Sequence, residues 1–272
     1  MDYYARLAKA QEAIESIRDT MEDPQEVQPL LVVGDMGEME LDALREQLEP
    51  AIEAETIKRD EWRAARKALE EELAARKAAE TAEESEAAEK PELEPEPEPE
   101  PEWDFPVLAD SHILYFRPHV QAIPGAAWHY LGKAPETQMA EIVGKVALIH
   151  NLASVSAVTL ANREAAHQGI IQDVLIQVNV DNKPGHGINM DYMPTLLRLV
   201  SQSKNLRVRG FSCTASYNPT VAAKAYRALV DYRDSMREDW EKLDNVSLDY
   251  LSFGREDDMD VAIKAGSNFI RF

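Results

Sequence analysis

DVLIQVNV, residues 173–180, is a run of large apolar and β-branched side chains with neither Gly nor Pro. It is closed by the turn-forming Asp181-Asn182-Lys183-Pro184-Gly185. A short run of this kind suits a parallel strand covered on both sides. Working toward the C-terminus, the pattern predicts a helix over 191–203, a strand over 208–215, a long amphipathic helix over 220–243, a strand over 248–253, a helix over 257–265 and a last strand over 268–272. Working toward the N-terminus, it predicts a strand at 147–152 (ALIHNL) with a helix over 154–166, and a strand at 127–132 (AWHYLG) with a helix near 136–143. A weaker strand is expected at 113–116, inside the stretch 107–116. The first strand, 30–34 (LLVVG), precedes a helix over 39–55. Eight strand–helix alternations fit a (β/α)8 TIM barrel. No Gly-rich dinucleotide fingerprint follows any strand, which weakens the open doubly wound alternative.

One segment breaks the alternation. Residues 57–104 hold 17 acidic and 8 basic side chains and few large apolar ones. Their first part, 60–89, is rich in Ala, Glu, Lys and Arg, with Arg66/Glu70, Lys67/Glu71 and Glu72/Arg76 spaced to meet on a helix. Ile57, Trp62, Leu69 and Leu73 are too few for a heptad seam, so a solvated helix is expected. The run PELEPEPEPEPEW, 91–103, favours extended polyproline II stiffened by charge repulsion. The domain reading is thus a single barrel from 1–56 and 105–272, interrupted by the acidic insert 57–104. The insert is either a spacer or an arm for a protein partner. It falls in an αβ connection, which places it away from the C-terminal face of a barrel.

The whole chain, 272 residues with 50 acidic and 29 basic, carries a net charge of −21. Such a surface repels phosphate backbones and anionic headgroups, so no nucleic-acid or membrane partner is expected. The opening MDYYARLAKAQEAIESIRD reads as an amphipathic helix without the apolar core of a signal peptide, and no run reaches the ~20 apolar residues of a membrane span. Cys213 is the single cysteine, which excludes an intrachain disulfide. A cytoplasmic protein is expected.

In a barrel of this class the chemistry sits at the C-terminal ends of strands, which selects Asp35, His129, Lys133, His150, Cys213, Arg255, Glu256 and Arg271. Asp35 reads as an acid or ligand, or as a helix cap. His129, His150 and His186 read as hydrogen-bonded packing histidines, and Cys213 as a small buried hydrophobe. No HxH or HExxH spacing occurs, so a zinc site is unsupported, and no GxSxG or P-loop is present.

The C-terminal run LDYLSFGREDDMDVAIKAGSNFIRF, 248–272, resembles the closing motif of the pyridoxal phosphate homeostasis family (YggS-like, with the alanine racemase N-terminal barrel). AWHYLG, DVLIQVNV and LRVRGF (206–211) agree with further motifs of that family in order and spacing. The resemblance covers 1–56 and 105–272. It implies a pyridoxal phosphate-holding barrel with a role in vitamin B6 supply and without an established catalytic turnover. Carried over residue by residue, it makes Gly254, Arg271 and His129 cofactor-binding positions, with the arginine near the pyridine ring.

Departures from the family pattern carry chemistry. The lysine that closes the first strand in the family forms a Schiff base with the cofactor aldehyde. Here Gly34-Asp35 stands in its place, with no lysine between Lys9 and Lys58, and a carboxylate cannot form an imine. Glu256 replaces a phosphate-binding serine, the following Gly-Thr of the pattern would lie beyond Phe272, and Lys133-Ala134-Pro135 departs after AWHYLG. The expectation is a degenerate member that lacks covalent cofactor attachment; the alternative is a cofactor-free scaffold acting through its insert. An enzyme using Asp35 and Lys133, or a rebuilt amine at Lys133, is a further alternative. Without cofactor, Arg271 is expected to pair with Asp35 or Glu256, or the two carboxylates to hold a divalent cation.

Overall fold

The computed structural model describes residues 2–34, 36–83, 107–111, 113–133, 136–181, 183–240 and 242–272. They fall into two units, Met1–Arg45 with Pro106–Phe272, and Glu46–Phe105.

The larger unit is a closed parallel barrel. Its strands are β1 (Gln28–Val32), β2 (Val107–Asp110), β3 (Ala127–Tyr130), β4 (Leu148–Leu152), β5 (Gln172–Asn179), β7 (Leu206–Ser212), β8 (Val246–Arg255) and β9 (Phe269–Arg271), with the two-residue β6 (Ile188–Asn189) added beside β5. Neighbours pair in the order β4-β3-β2-β1-β9-β8-β7-β5, and a β4–β5 pairing closes the ring. The helices α1 (Tyr3–Arg18), α3 (Ile113–Ala122), α4 (Met139–Ile142), α5 (Val155–Gln168), α6 (Met193–Ser201), α7 (Pro219–Trp240) and α8 (Met259–Lys264) accompany the strands. Asp2 caps α1 by accepting from Ala5 N at 3.2 Å. Among the described residues no helix is long and apolar enough to cross a membrane.

β5 shows why the barrel forms. Its residues 174–179 are all buried, and side chains alternate between the faces of the strand. Leu175 joins an interior cluster with Leu30, Val107, Ala109, Leu131, Leu148 and Phe269. Further along the same face, Gln177 donates to Thr214 Oγ1 at 2.9 Å and Asn179 to Lys183 O at 2.8 Å. The interior therefore turns from apolar to polar toward the C-terminal ends of the strands. Gly210 in β7 is fixed by a close approach, since at φ +148° a Cβ there would lie 1.9 Å from Tyr250 O.

Two details differ from the sequence reading. The second strand is 107–110, whereas 113–116 opens helix α3; a four-residue apolar run such as ILYF carries no periodicity that separates strand from helix. The helices expected over 39–55 and 60–89 are one continuous α2 (Glu38–Glu83) that retains Pro50 in its interior. The intervening Thr56-Ile57-Lys58-Arg59 contains no breaker, so nothing stops propagation. Along α2, Arg66 pairs with Glu70 at 3.0 Å and Lys67 with Glu71 at 3.7 Å, and most side chains over 57–72 are exposed, as befits a solvated helix. The Pro-Glu run lies outside the described residues.

Candidate functional site

Strands β3, β4 and β8 each send a polar side chain into the interior. His150 Nε2 lies 2.8 Å from His129 Nδ1, and His150 Nδ1 lies 2.7 Å from Ser252 Oγ. The Phe269 ring stands edge-on to both imidazoles, with centroids 5.7 Å from His129 and 5.1 Å from His150. Both histidines are buried. Burial pushes His129 down to about 3. His150 is held well below its ordinary value, first by burial, then by His129 and the Arg271 charge. A neutral imidazole has one donor and one acceptor nitrogen, so the Ser252–His150–His129 chain must run in a single direction. Beside it, Ser212 Oγ donates to His150 O and Asn151 Nδ2 donates to Leu131 O. The β4–β5 register shifts between Ile149 and Leu152, and these side chains serve backbone carbonyls next to that irregularity.

Above this chain, Arg255 and Arg271 are register partners on β8 and β9. Asp258 organises the first of them: it accepts from Arg255 N at 2.6 Å, from Arg255 Nη2 at 3.2 Å and from Tyr226 Oη at 2.7 Å. Arg255 also donates to Ser216 O and stacks 4.3 Å over the exposed Tyr217 ring. Arg271 differs. Its Nε and Nη2 are shut off from solvent and have no hydrogen-bond partner. Burial pushes this guanidinium below its ordinary value, and the neighbouring Arg255 charge acts in the same sense. Cys213, at the end of β7, is buried; burial pushes its thiol up to about 12, with the Arg271 charge opposing, so it is no nucleophile at neutral pH.

The structure thus brings together Arg255 and Arg271, with His150 and Cys213 within electrostatic reach of the latter, and links His129 to His150. It does not bring Glu256 to Arg271: Glu256 is exposed, and no ion pair joins them among the described residues. Asp35 lies outside those residues, so neither its pairing nor the expected two-carboxylate cation site is described. Among the described residues no cluster of three His, Cys, Asp or Glu side chains is placed to hold a metal. Lys133 is exposed in the loop after β3, and His186 sits 3.2 Å from Asp181. Gly254 has a packing reason for its identity: at φ +95° a Cβ would lie 2.4 Å from Ala262 Cβ.

The sequence reading missed Ser252, Asp258 and Tyr226. A signal existed for the histidine pair: His129 is the lateral partner of Leu148, which places His150 two residues further along the neighbouring strand and on the same face. Nothing comparable marks Tyr226, which reaches Asp258 from another helix.

An unpartnered buried guanidinium costs folding energy. Arg271→Met is therefore expected to raise the stability of the ligand-free protein by about 1–3 kcal/mol, read as a higher midpoint in urea. A lower midpoint would show that the guanidinium is satisfied in the fold. The same unpartnered donors suit an anionic ligand, whereas among the described residues no buried lysine stands at the strand ends.

No protein-family model matches the chain. A pyridoxal phosphate homeostasis protein of Aquifex aeolicus is 30% identical over 147 residues, 53% of this chain and 63% of that protein, so the match spans less than two thirds of that relative. One from Deinococcus radiodurans is 29% identical over 168 residues, 62% of this chain and 75% of the relative. PipY of Synechococcus elongatus, in a structure with pyridoxal phosphate bound, superimposes with a TM-score of 0.60 at 17% identity, covering 96% of this chain and 95% of PipY. That structural likeness concerns the fold. In its barrel, its ordered strand motifs and these two curated relatives alike, the chain is similar to the pyridoxal phosphate homeostasis proteins.

Proposed function

We propose that this protein binds pyridoxal phosphate non-covalently at the C-terminal mouth of its barrel and serves cofactor supply without turnover. The observation that carries the reading is the pair of buried, unpartnered donors on Arg271, which an anionic ligand would satisfy. Arg271 and Arg255 would hold the ligand, and the neutral His150 and His129 form the polar floor beneath it. Because both imidazoles stay neutral, the positive charge that faces an anion there resides on the guanidiniums. Bound there, the cofactor supplies a reactive aldehyde. The sequence resemblance sets Asp35 against the family lysine, and a carboxylate cannot condense with that aldehyde. The names of the relatives, and the pyridoxal phosphate bound to PipY, support the choice of ligand.

The test is titration of the full chain with pyridoxal phosphate, followed by borohydride reduction and intact mass. Saturable binding without a gain in mass is the expected result. A reduced adduct on Lys133 would overturn the non-covalent part and identify a rebuilt amine. Absence of any binding would overturn the whole and leave the scaffold reading, with the acidic insert 57–104 as the contact for a protein partner.

A further inference from the structure

We infer that the cavity between α1, β1 and the β8–α8 connection is a binding site for a small aliphatic α-amino acid. The cavity measures about 140 Å³, and its walls come from α1, from Pro29 and Leu31 of β1, from Glu256 and Met259, and from Phe272. It lies outside the barrel wall. Leu30 and Val32 turn to the interior cluster, so the alternating Pro29 and Leu31 face the helix layer. The inference is therefore independent of the function proposed above, which concerns the barrel mouth.

Size narrows the ligand first. The layers of a barrel are ordinarily close-packed, and this gap equals the room of about five liquid water molecules. Sites that take drug-sized ligands measure about 300–1,000 Å³, so a cofactor as large as pyridoxal phosphate does not fit here. A compact molecule the size of alanine or valine does.

Charge narrows it further. Arg6 and Lys9 line the cavity from α1, one turn apart and on one face of that helix. Glu256 lines it from the β8–α8 connection. Its neighbour Arg255 pairs with Asp258 at 3.2 Å, whereas no ion pair joins Lys9 to Glu256 among the described residues. Leu7, Ala10, Ala13 and Met259 supply apolar surface between the charges. A simple anion would be repelled by Glu256, and a simple cation by Arg6 and Lys9. A zwitterion suits both walls, with its carboxylate toward the α1 cations and its ammonium toward Glu256, each in charge-assisted hydrogen bonds. The apolar surface takes a short aliphatic side chain. Carboxylate, ammonium and aliphatic side chain on one small frame describe an α-amino acid.

The experiment measures binding to the full chain by titration calorimetry, with three probes. They are L-valine, isovalerate, which lacks the ammonium, and isobutylamine, which lacks the carboxylate. The proteins are wild type, Glu256→Gln, Lys9→Gln and Ala13→Leu. The expected result is saturable binding of L-valine with a dissociation constant of about 1 mM or less, and binding of both analogues at least about 10-fold weaker. Glu256→Gln should weaken valine about 3–10-fold without weakening isovalerate. Lys9→Gln should weaken both. Ala13→Leu fills the gap and should abolish binding. Lys9 and Glu256 are exposed, so their variants keep the test valid should Ala13→Leu disturb the packing of α1.

Weaker or undetectable binding of valine to the wild type overturns the inference. Isovalerate binding as tightly as valine also overturns it, because the site would then select a carboxylate alone. Valine binding that survives Ala13→Leu but is lost in Arg271→Met would put the amino acid in the barrel mouth and overturn the location. None of these outcomes decides whether pyridoxal phosphate binds, which its own titration measures.

Discussion

Between pH 6.5 and about 3 the fold is expected to lose stability steeply, and the loss should trace to His129 and His150. In the unfolded chain both imidazoles take up a proton near 6.5. In the barrel His129 resists down to about 3, and His150 is also held well below its ordinary value. Each histidine's folded value lies below its unfolded one. The contribution is therefore fully present above 6.5 and is lost as pH falls toward the folded value. Each group that remains neutral in the fold and charges on unfolding contributes a slope of about 1.4 kcal/mol per pH unit. Urea midpoints from pH 7.5 to 4 measure this. His150→Gln, which retains a donor and an acceptor but does not titrate, should flatten the slope. An unchanged slope in that variant would mean that acid sensitivity arises elsewhere.

Removing Asp258 should cost more than any surface change. This carboxylate is 4% exposed, accepts from Tyr226 Oη and from the Arg255 main chain and side chain, and stands at the entry to α8. Asp258→Ala leaves a hydroxyl, a backbone N–H and a guanidinium without their shared acceptor. The expected loss is about 3–5 kcal/mol. Asp258→Asn keeps one oxygen and the side-chain shape and should cost clearly less. Chemical denaturation of the three proteins at pH 7.5 decides the matter: an alanine variant within about 1 kcal/mol of wild type would show that water replaces the carboxylate.

The course of the barrel was legible because its strands are short, mostly apolar runs closed by turn residues. DVLIQVNV is the clearest of them, and the other strands follow from it by alternation. The tract around Ile113–Phe116 was not legible, since four apolar residues fit either period; the requirement for a helix between β2 and β3 is imposed by the closed ring. The continuity of α2 was hidden for a different reason: composition changes near Ile57, yet helix propensity does not. At the site, the individual residues could be selected from the strand ends, but their partners could not. Which nitrogen of His150 meets which neighbour depends on register, and the open edge of Arg271 is a property of what fails to reach it. Asp258 looked like one acid among three consecutive ones and became the organiser because Tyr226 arrives from α7.

Gln28–Val32 has no partner nearby in the chain. One flank is zipped to Val107–Asp110, on the far side of the acidic insert, and the other to Phe269–Arg271, where Phe272 O receives the amide of Val32 and the Phe272 amide donates to Leu30 O. During synthesis the opening strand must therefore wait with a bare edge, first for the insert to pass and then for the final strand to emerge. Loop-closure entropy for such distant pairings is spent before any reward arrives, so folding should be slow and the waiting edge vulnerable to wrong partners. Burial of Arg271 belongs to the same late step, because the strand that carries it is the one that closes the ring. The buried guanidinium is thus timed as well as placed: it is enclosed when the barrel ceases to have an edge.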